Sequence, residues 1–287
     1  MKELVVLSGK GGTGKTSLVG SFAVLAQNKV LADADVDAPD LYLLLQPQVR
    51  EQAEFWGGQL AFIDEEKCTG CGLCEELCRF KAIKDFKVDE LSCEGCGFCS
   101  HICPAEAIHM KERMAGHWYI SETKYGPLVH ARLGAAQENS GKLVALVRNK
   151  AKALAEENHL EYIITDGPPG IGCPVISSVA GANLALLVTE PTLSGMHDLS
   201  RALGLCQHFN VPALVCINKY DLNEENASRI EAYCSDMGLK LVGRIPFDNV
   251  VTKALACGVP VVEYTDGRVS REIESLWREI QRGWSGG

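Results

Sequence analysis

Short apolar runs followed by a turn and then by helical spacing recur along most of this chain. Residues 4–7 form such a run, ending in glycines, and residues 17–27 then carry a helical period. A second short strand is predicted near residues 30–34. Beyond position 113 the pattern resumes. Residues 143–155, 199–209 and 224–237 suit helices, and residues 162–165, 184–189, 213–217 and 240–245 suit strands. This alternation predicts an α/β fold, a doubly wound and mostly parallel sheet. Residues 271–284 place Ile273, Leu276, Trp277, Ile280 and Trp284 on one helical face. The opposite face balances Arg271, Arg278 and Arg282 against Glu272, Glu274 and Glu279. A neutral polar face suits packing on the protein body better than binding to anionic lipid, so a membrane partner is not expected.

Between about residues 64 and 110 the pattern lapses into a cysteine-rich stretch with little helical period. The organisation predicted is a discontinuous domain, 1–63 and 113–287, with a small α+β domain inserted at 64–112. Within the insert, residues 68–78 and 93–103 share one cysteine spacing, repeated 25 residues apart, and each is followed by an Ala-Ile pair, at 82–83 and 107–108.

Composition narrows the function. Of 287 residues, 46% are apolar and 23% charged, which is ordinary for a globular protein. The net charge of −9 lacks the basic footprint of a general nucleic-acid binder. No apolar run reaches bilayer length, and the stretch before Gly9 is too short for a signal peptide, so a cytoplasmic location is expected. There are 13 cysteines, an odd count, and eight of them lie between positions 68 and 103. In a cytosolic chain that points to metal, not disulfides.

Gly9-Lys10-Gly11-Gly12-Thr13-Gly14-Lys15-Thr16 matches G-x-x-x-x-G-K-[ST] in full. Its glycines let backbone N–H groups turn inward around phosphate oxygens, and the helix that follows from Ser17 adds its N-terminal dipole. Lys15 is predicted to reach the β- and γ-phosphates and the Thr16 hydroxyl to bind Mg²⁺. The run 163–170 is an apolar strand ending in Asp166, then a Gly/Pro loop that opens with Gly167. Asp166 is expected to hold Mg²⁺ through water. Asn218-Lys219-Tyr220-Asp221 follows another apolar strand and reads as the guanine signature N-K-x-D, which leaves ATP and GTP both open on the residues alone.

Cys68-x2-Cys71-x2-Cys74-x3-Cys78 and Cys93-x2-Cys96-x2-Cys99-x3-Cys103-Pro104 have the spacing of the bacterial ferredoxin run. In that run the fourth cysteine ligates the other cluster. One [4Fe–4S] cluster would therefore take Cys68, Cys71, Cys74 and Cys103, and a second Cys78, Cys93, Cys96 and Cys99. Two structural zinc sites would not need this interleaving. Arg79 stands where the second run has Pro104.

Lys10, directly after the first glycine, resembles the deviant phosphate loop of the MinD/ParA class, to which nitrogenase iron protein also belongs. The chain is similar to MinD-superfamily P-loop ATPases with an inserted ferredoxin domain over nearly its whole length. Segments 138–144, 172–176 and 189–192 share in that likeness. The resemblance implies an ATP-dependent homodimer in which Lys10 reaches the partner's phosphates; on the residues alone Lys10 would equally be a solvated loop lysine. It implies that Asp35, in Asp33-Ala34-Asp35-Val36-Asp37, orients the attacking water or a Mg²⁺-bound water, where a helix cap and solvated loop would use the same letters. It implies that Asn218 and Lys219, with Pro246 and Phe247, surround an adenine, and that Gly11, Gly12, Thr13, Gly14 and Ser17 complete the ATP/ADP site. Cys173 lies seven residues after Asp166, as a cluster-bridging cysteine does in nitrogenase iron protein, but Asn139 fills the second cysteine's place. Cys206, Cys216, Cys234 and Cys257 have no ligand spacing and are expected to be buried thiols.

The expectation is thus a slow Mg-ATPase, dimeric on ATP binding, that couples nucleotide state to electron transfer with a redox partner. Two alternatives stand beside it. One is an iron–sulfur assembly or carrier ATPase. The other is a MinD/ParA-like positioning ATPase with structural or redox-sensing clusters. The insert joins the chain about 30 residues after Asp35 and ends about 50 before Asp166.

Overall fold

The computed structural model describes residues 1–134 and 140–285. Along the chain, β1 (Lys2–Ser8) leads to α1 (Lys15–Leu25), β2 (Lys29–Asp33), α2 (Leu41–Leu45) and a long β3 (Gln48–Ile63). Four short elements follow: α3 (Leu73–Glu76), β4 (Ile83–Lys84), β5 (Lys87–Val88) and α4 (Phe98–Ile102). Then β6 (Ile108–Thr123) turns at Lys124-Tyr125 into β7 (Gly126–Leu133). The rest alternates: α5 (Ser140–Glu157), β8 (Tyr162–Pro169), α6 (Cys173–Val179), β9 (Leu184–Thr189), α7 (Leu193–His208), β10 (Ala213–Asn218), α8 (Glu224–Asp236) and β11 (Lys240–Ile245). Three helices close the chain, α9 (Asn249–Ala256), α10 (Val261–Tyr264) and α11 (Arg268–Ser285).

Two compact units contain these elements. The larger comprises Met1–Gln52, Trp118–Arg132 and the described residues from Ser140 on. The smaller comprises Ala53–His117 with Leu133 and Gly134.

In the larger unit the sheet order is β11-β10-β9-β1-β8-β2-β7. β1 pairs in parallel with β8 on one side and β9 on the other, with Leu4 opposite Ile164 and Leu184. β2 also runs parallel to β8 and β7, and β10 to β9 and β11. Every residue of β2 and β9 is buried, as expected for strands covered on both faces. The period of two sorts their side chains. Leu4, Val6, Leu184, Leu186 and Val188 join the core under α1 and α11, while Val5, Leu7, Ala185 and Leu187 join a second core under α6, α7 and α8. The apolar face of α11 is part of the first core: Ile273, Leu276, Trp277 and Ile280 are buried there, and Trp284 packs at its margin. No helix among the described residues is long and apolar enough to cross a membrane.

Besides the short β4 and β5, the strands β3, β6 and β7 lie where the sequence pattern predicted none. Apolar letters and burial do not alternate regularly in them: β3 reads Gln-Val-Arg-Glu-Gln-Ala-Glu-Phe-Trp-Gly-Gly-Gln-Leu-Ala-Phe-Ile, buries only Phe55, Ala61 and Ile63, and exposes Val49, Trp56 and Phe62, and β6 exposes Met114. β8 also extends past Asp166, to Pro169. Its pairing with β1 continues, shifted, to Ser8 opposite Pro169. Gly167 lets the backbones approach this closely, since a Cβ there would lie 2.8 Å from Val6 O.

In the smaller unit a modest cluster of Ala61, Ile63, Cys74, Ile83 and Ile108 is buried, with Cys68, Cys78, Cys93, Cys99 and Cys103 packed around it. Backbone contacts repeat at the sequence period of 25. Cys68 N–H donates to Asp64 O and Cys93 N–H to Asp89 O, both at 3.0 Å. Asp64 N–H donates to Ala107 O at 2.8 Å and Asp89 N–H to Ala82 O at 2.7 Å. Each half thus borrows a carbonyl from the other, so the duplication folds as one interlocked unit.

Candidate functional site

β1 delivers the chain to the glycine loop, and α1 begins directly after it. Gly14 caps α1 at φ 91° and Gly12 turns at φ 79°, conformations that a side chain makes costly. The loop is also confined: a Cβ on Gly14 would lie 2.4 Å from Asn218 Nδ2, and one on Gly9 would lie 2.0 Å from Asp198 Cβ. Asn218 Nδ2 donates to Thr13 O at 2.8 Å, and Lys219 Nζ to Gly12 O at 3.0 Å. The end of β10 therefore holds the loop open from beside it. The first N–H groups of α1 have no partner within the helix, and their dipole favours an anion at this end. The Thr13 hydroxyl is buried with no hydrogen-bond partner.

Lys15 is buried, at 6% exposure. Asp35 and Asp166 face its charge, and Thr16 donates its hydroxyl to Asp166. Burial pushes the Asp166 carboxyl up to about 6, against the pull of Lys15 and Thr16, while Asp35 and Asp40 push the same way as burial. Burial also raises Asp35, opposed by Lys15. Asp33 is buried opposite Asp166 in the register of β2 and β8, and burial with that neighbouring charge raises it well above the carboxylate range. Its two oxygens accept the N–H groups of Asp35 at 3.1 Å and Leu41 at 3.2 Å, so Asp33 shapes the loop that carries Asp35.

Asp166 Oδ1 has no hydrogen-bond partner despite its burial. An orphaned carboxylate oxygen, a hydroxyl at Thr16 and a crowd of carboxyls with raised pKa fit a bound Mg²⁺, which would stabilise their ionised forms. Among the described residues no three His, Cys, Asp or Glu side chains converge on one ion. Mg²⁺ does not need such a set, because it keeps several waters.

A cavity of about 190 Å³ opens beside the loop, lined among others by Gly12, Gly14, Ser17, Asn218, Lys219 and Phe247. Pro246 lines it too. The structure thus brings the predicted loop, Asn218, Lys219, Pro246 and Phe247 to one cavity. Asp221 lies outside its lining: its Oδ1 accepts the Phe247 N–H at 2.7 Å. Gly11 is exposed, with open space around its Cα.

Lys10 points to Glu190, 3.3 Å away, and Lys219 forms a second ion pair with the same carboxylate at 2.5 Å. Burial works against the Glu190 charge, but Lys219 and Lys10 prevail and hold its pKa below the ordinary value. Glu190, Asp33 and Asp221 were not among the sequence-predicted site residues. The available signal was position: Glu190 directly follows β9 at the carboxyl edge of the sheet, where α/β folds bind ligands.

The cysteines of the smaller unit line two hollows. One, of about 340 Å³, has Cys74, Cys78, Cys93, Cys96 and Cys99 in its wall. The other, about 20 Å³, has Cys68, Cys71, Cys74 and Cys103. Ala82 N–H donates to Cys78 Sγ at 3.4 Å and Ala107 N–H to Cys103 Sγ at 3.3 Å. Bonds of this kind stabilise negative charge on the sulfur. Gly70, Gly72, Gly95 and Gly97 all take positive φ, between 62° and 77°, to bring the loops around the hollows. The donor set is all thiol, the ligand type that soft metals and iron–sulfur chemistry use.

The remaining cysteines divide. Cys206, Cys216 and Cys234 are buried, with burial pushing their thiols to about 11, 12 and 11. Cys257, expected to be buried, is exposed at the end of α9, because only the Ala254 face of that helix enters the core. Cys173 is exposed at the start of α6. Asn139 lies outside the described residues.

The model of the CobQ/CobB/MinD/ParA nucleotide binding domain matches residues 4–261. An uncharacterized protein of Methanocaldococcus jannaschii is 34% identical over 282 residues, covering 97% of this chain and 96% of that protein. Septum site-determining protein MinD of Thermotoga maritima is 25% identical over 292 residues, covering 97% and 87%. Among solved structures, MinD of Pyrococcus horikoshii complexed with Mg-ADP superimposes with a TM-score of 0.59 at 17% identity, covering 99% of this chain and 97% of that one, a likeness of fold. With the phosphate loop, its helix and the carboxylates of β2 and β8 assembled on that fold, the chain belongs to the CobQ/CobB/MinD/ParA nucleotide-binding family, as a P-loop ATPase of the MinD/ParA type.

Proposed function

We propose that this ATPase couples its nucleotide state to electron transfer with a redox partner through two [4Fe–4S] clusters held in the smaller unit. The observation that carries the reading is the grouping of cysteines. One hollow is lined by Cys68, Cys71, Cys74 and Cys103, the set that the ferredoxin spacing assigns to one cluster, and the other by Cys78, Cys93, Cys96 and Cys99 of the second set together with Cys74. The clusters, when bound, supply one-electron chemistry. The protein holds their thiolates and places N–H donors on Cys78 and Cys103.

At the nucleotide, the loop N–H groups and Lys15 bind phosphate charge. Thr16, Asp166 and Asp35 are the residues that would hold Mg²⁺ or its waters, which stabilise charge on the transferring phosphoryl group. Asp35 orients the attacking water. Asn218, Pro246 and Phe247 take the base, and adenine is favoured because the Asp221 carboxylate that would read guanine is already bonded to Phe247 N–H. Lys10 acts on the phosphates of a second copy, for which it must leave Glu190. Hydrolysis is then slow in the monomer. Lys10→Ala should lower turnover at least tenfold and change ATP affinity of the monomer by less than about twofold. Equal losses in both would remove the trans role.

The test of coupling is electrochemical. A coupling of ~3 kcal/mol moves a one-electron potential by about 130 mV. Cluster potentials and electron-transfer rates measured with and without Mg-ATP should differ on that scale. Identical values would leave a positioning ATPase with structural clusters. ATP-stimulated transfer of clusters to an apo-acceptor would instead make the chain a carrier.

A further inference from the structure

We propose that Arg79 sets the potential of one cluster site and leaves the other untouched, so that the duplicated halves are electronically unequal. The inference rests on the cluster reading above. The two halves match in their cysteine spacing, their Sγ-directed N–H groups and their backbone contacts. They differ after the fourth cysteine, where the first run has Arg79 and the second Pro104.

Arg79 stands in the wall of the 340 Å³ hollow, beside Cys78, Cys93, Cys96 and Cys99. Glu94 lies in the same wall, at the repeat position of Thr69. The 20 Å³ hollow has no charged side chain in its lining. Of the charged side chains that line either hollow, Arg79 and Glu94 both belong to the larger one.

Reduction adds one electron to a site of fixed ligands, so a nearby cation favours the reduced form and a nearby anion opposes it. Charges at such distances interact as in a medium of intermediate dielectric. Removing the Arg79 charge should then shift the reduced-to-oxidised ratio of its cluster three- to tenfold, about 30 to 60 mV more negative. Removing the Glu94 charge should shift the same step the other way.

The experiment is an EPR-monitored redox titration of the full-length reconstituted protein without nucleotide, after iron and labile sulfide are measured. Two clusters correspond to about eight of each per chain. Expected in Arg79→Gln is one reduction step moved negative and the other unmoved. Arg79→Lys keeps the charge and should keep the native potential, and Glu94→Gln should move the Arg79-sensitive step positive. The inference falls if Arg79→Gln leaves both steps in place or moves both alike. It falls also if Arg79→Lys shifts as far as Arg79→Gln, which would make packing the cause. A wild-type protein that holds no cubane signal defeats the cluster reading itself, and the iron count separates that failure from the others.

Discussion

Asp221 completes a four-residue signature that in isolation reads guanine, yet its Oδ1 is bonded to the Phe247 N–H. The carboxylate therefore organises the loop at one wall of the base cavity and does not project into it. Asp221→Ala should loosen that wall and raise the ATP dissociation constant about tenfold, near the ~1.4 kcal/mol of one charge-assisted hydrogen bond. GTP should bind no better than before. If isothermal titration showed the wild type binding GTP and the variant losing it selectively, Asp221 would be a guanine reader. At this scale the sequence was uneven. The loop from Gly9 to Thr16 was legible because its chemistry is local and every residue sits within one turn. Glu190 was not, because its role exists only where β1, β9 and β10 meet and bring Lys10 and Lys219 to one carboxylate. Asp33 was written in the same run as Asp35, but only the register of β2 against β8 shows it turned inward onto Leu41 N–H.

Elements were legible in proportion to burial. β1, β2, β9 and β10 carry nearly continuous apolar letters because they are buried on both faces, and the residues predicted for them and for the edge strand β11 match within a position or two. β3 and β6 bury few side chains, so their alternation is diluted by Arg, Glu, Gln and Gly. In the smaller unit the repeat itself was the signal, but its two halves differ in tolerance. Gly70 and Gly95 occupy equivalent turns at φ 68° and 62°. A Cβ on Gly70 would find only Phe86 Cζ at 3.9 Å, whereas one on Gly95 would lie 2.2 Å from Gln59 O. Gly70→Ala should therefore cost about 1 kcal/mol, the strain of a left-handed alanine. Gly95→Ala must also displace a backbone carbonyl and should cost ~3 kcal/mol or more. Thermal unfolding followed by loss of visible cluster absorbance would rank the two, and equal midpoints would contradict the close approach at Gln59.

On the scale of the whole molecule, the two units differ in what holds them together. The larger has two apolar cores, one on each face of a parallel sheet, with Phe22, Leu4, Leu31, Ile164 and Leu186 among its fully buried side chains. The smaller buries a cluster in which one member, Cys74, is itself a candidate ligand and most neighbours are cysteines. A core of that size does not outweigh the conformational entropy of the chain it must order. On the proposed reading, binding of the clusters would supply most of the folding free energy, as metal binding does in small metal-held domains. Removing iron with a chelator under reducing conditions should abolish amide protection across residues 64–112. Protection in β1, β8 and β9 should persist, and ATP should bind to the iron-free protein within about threefold of its affinity for the loaded one. Hydrogen exchange with mass-spectrometric detection and nucleotide titration read the two halves of this prediction separately. Protection retained at 64–112 without iron would mean that the small apolar cluster suffices. Loss of ATP binding together with iron would mean that the larger unit depends on the smaller for its own fold.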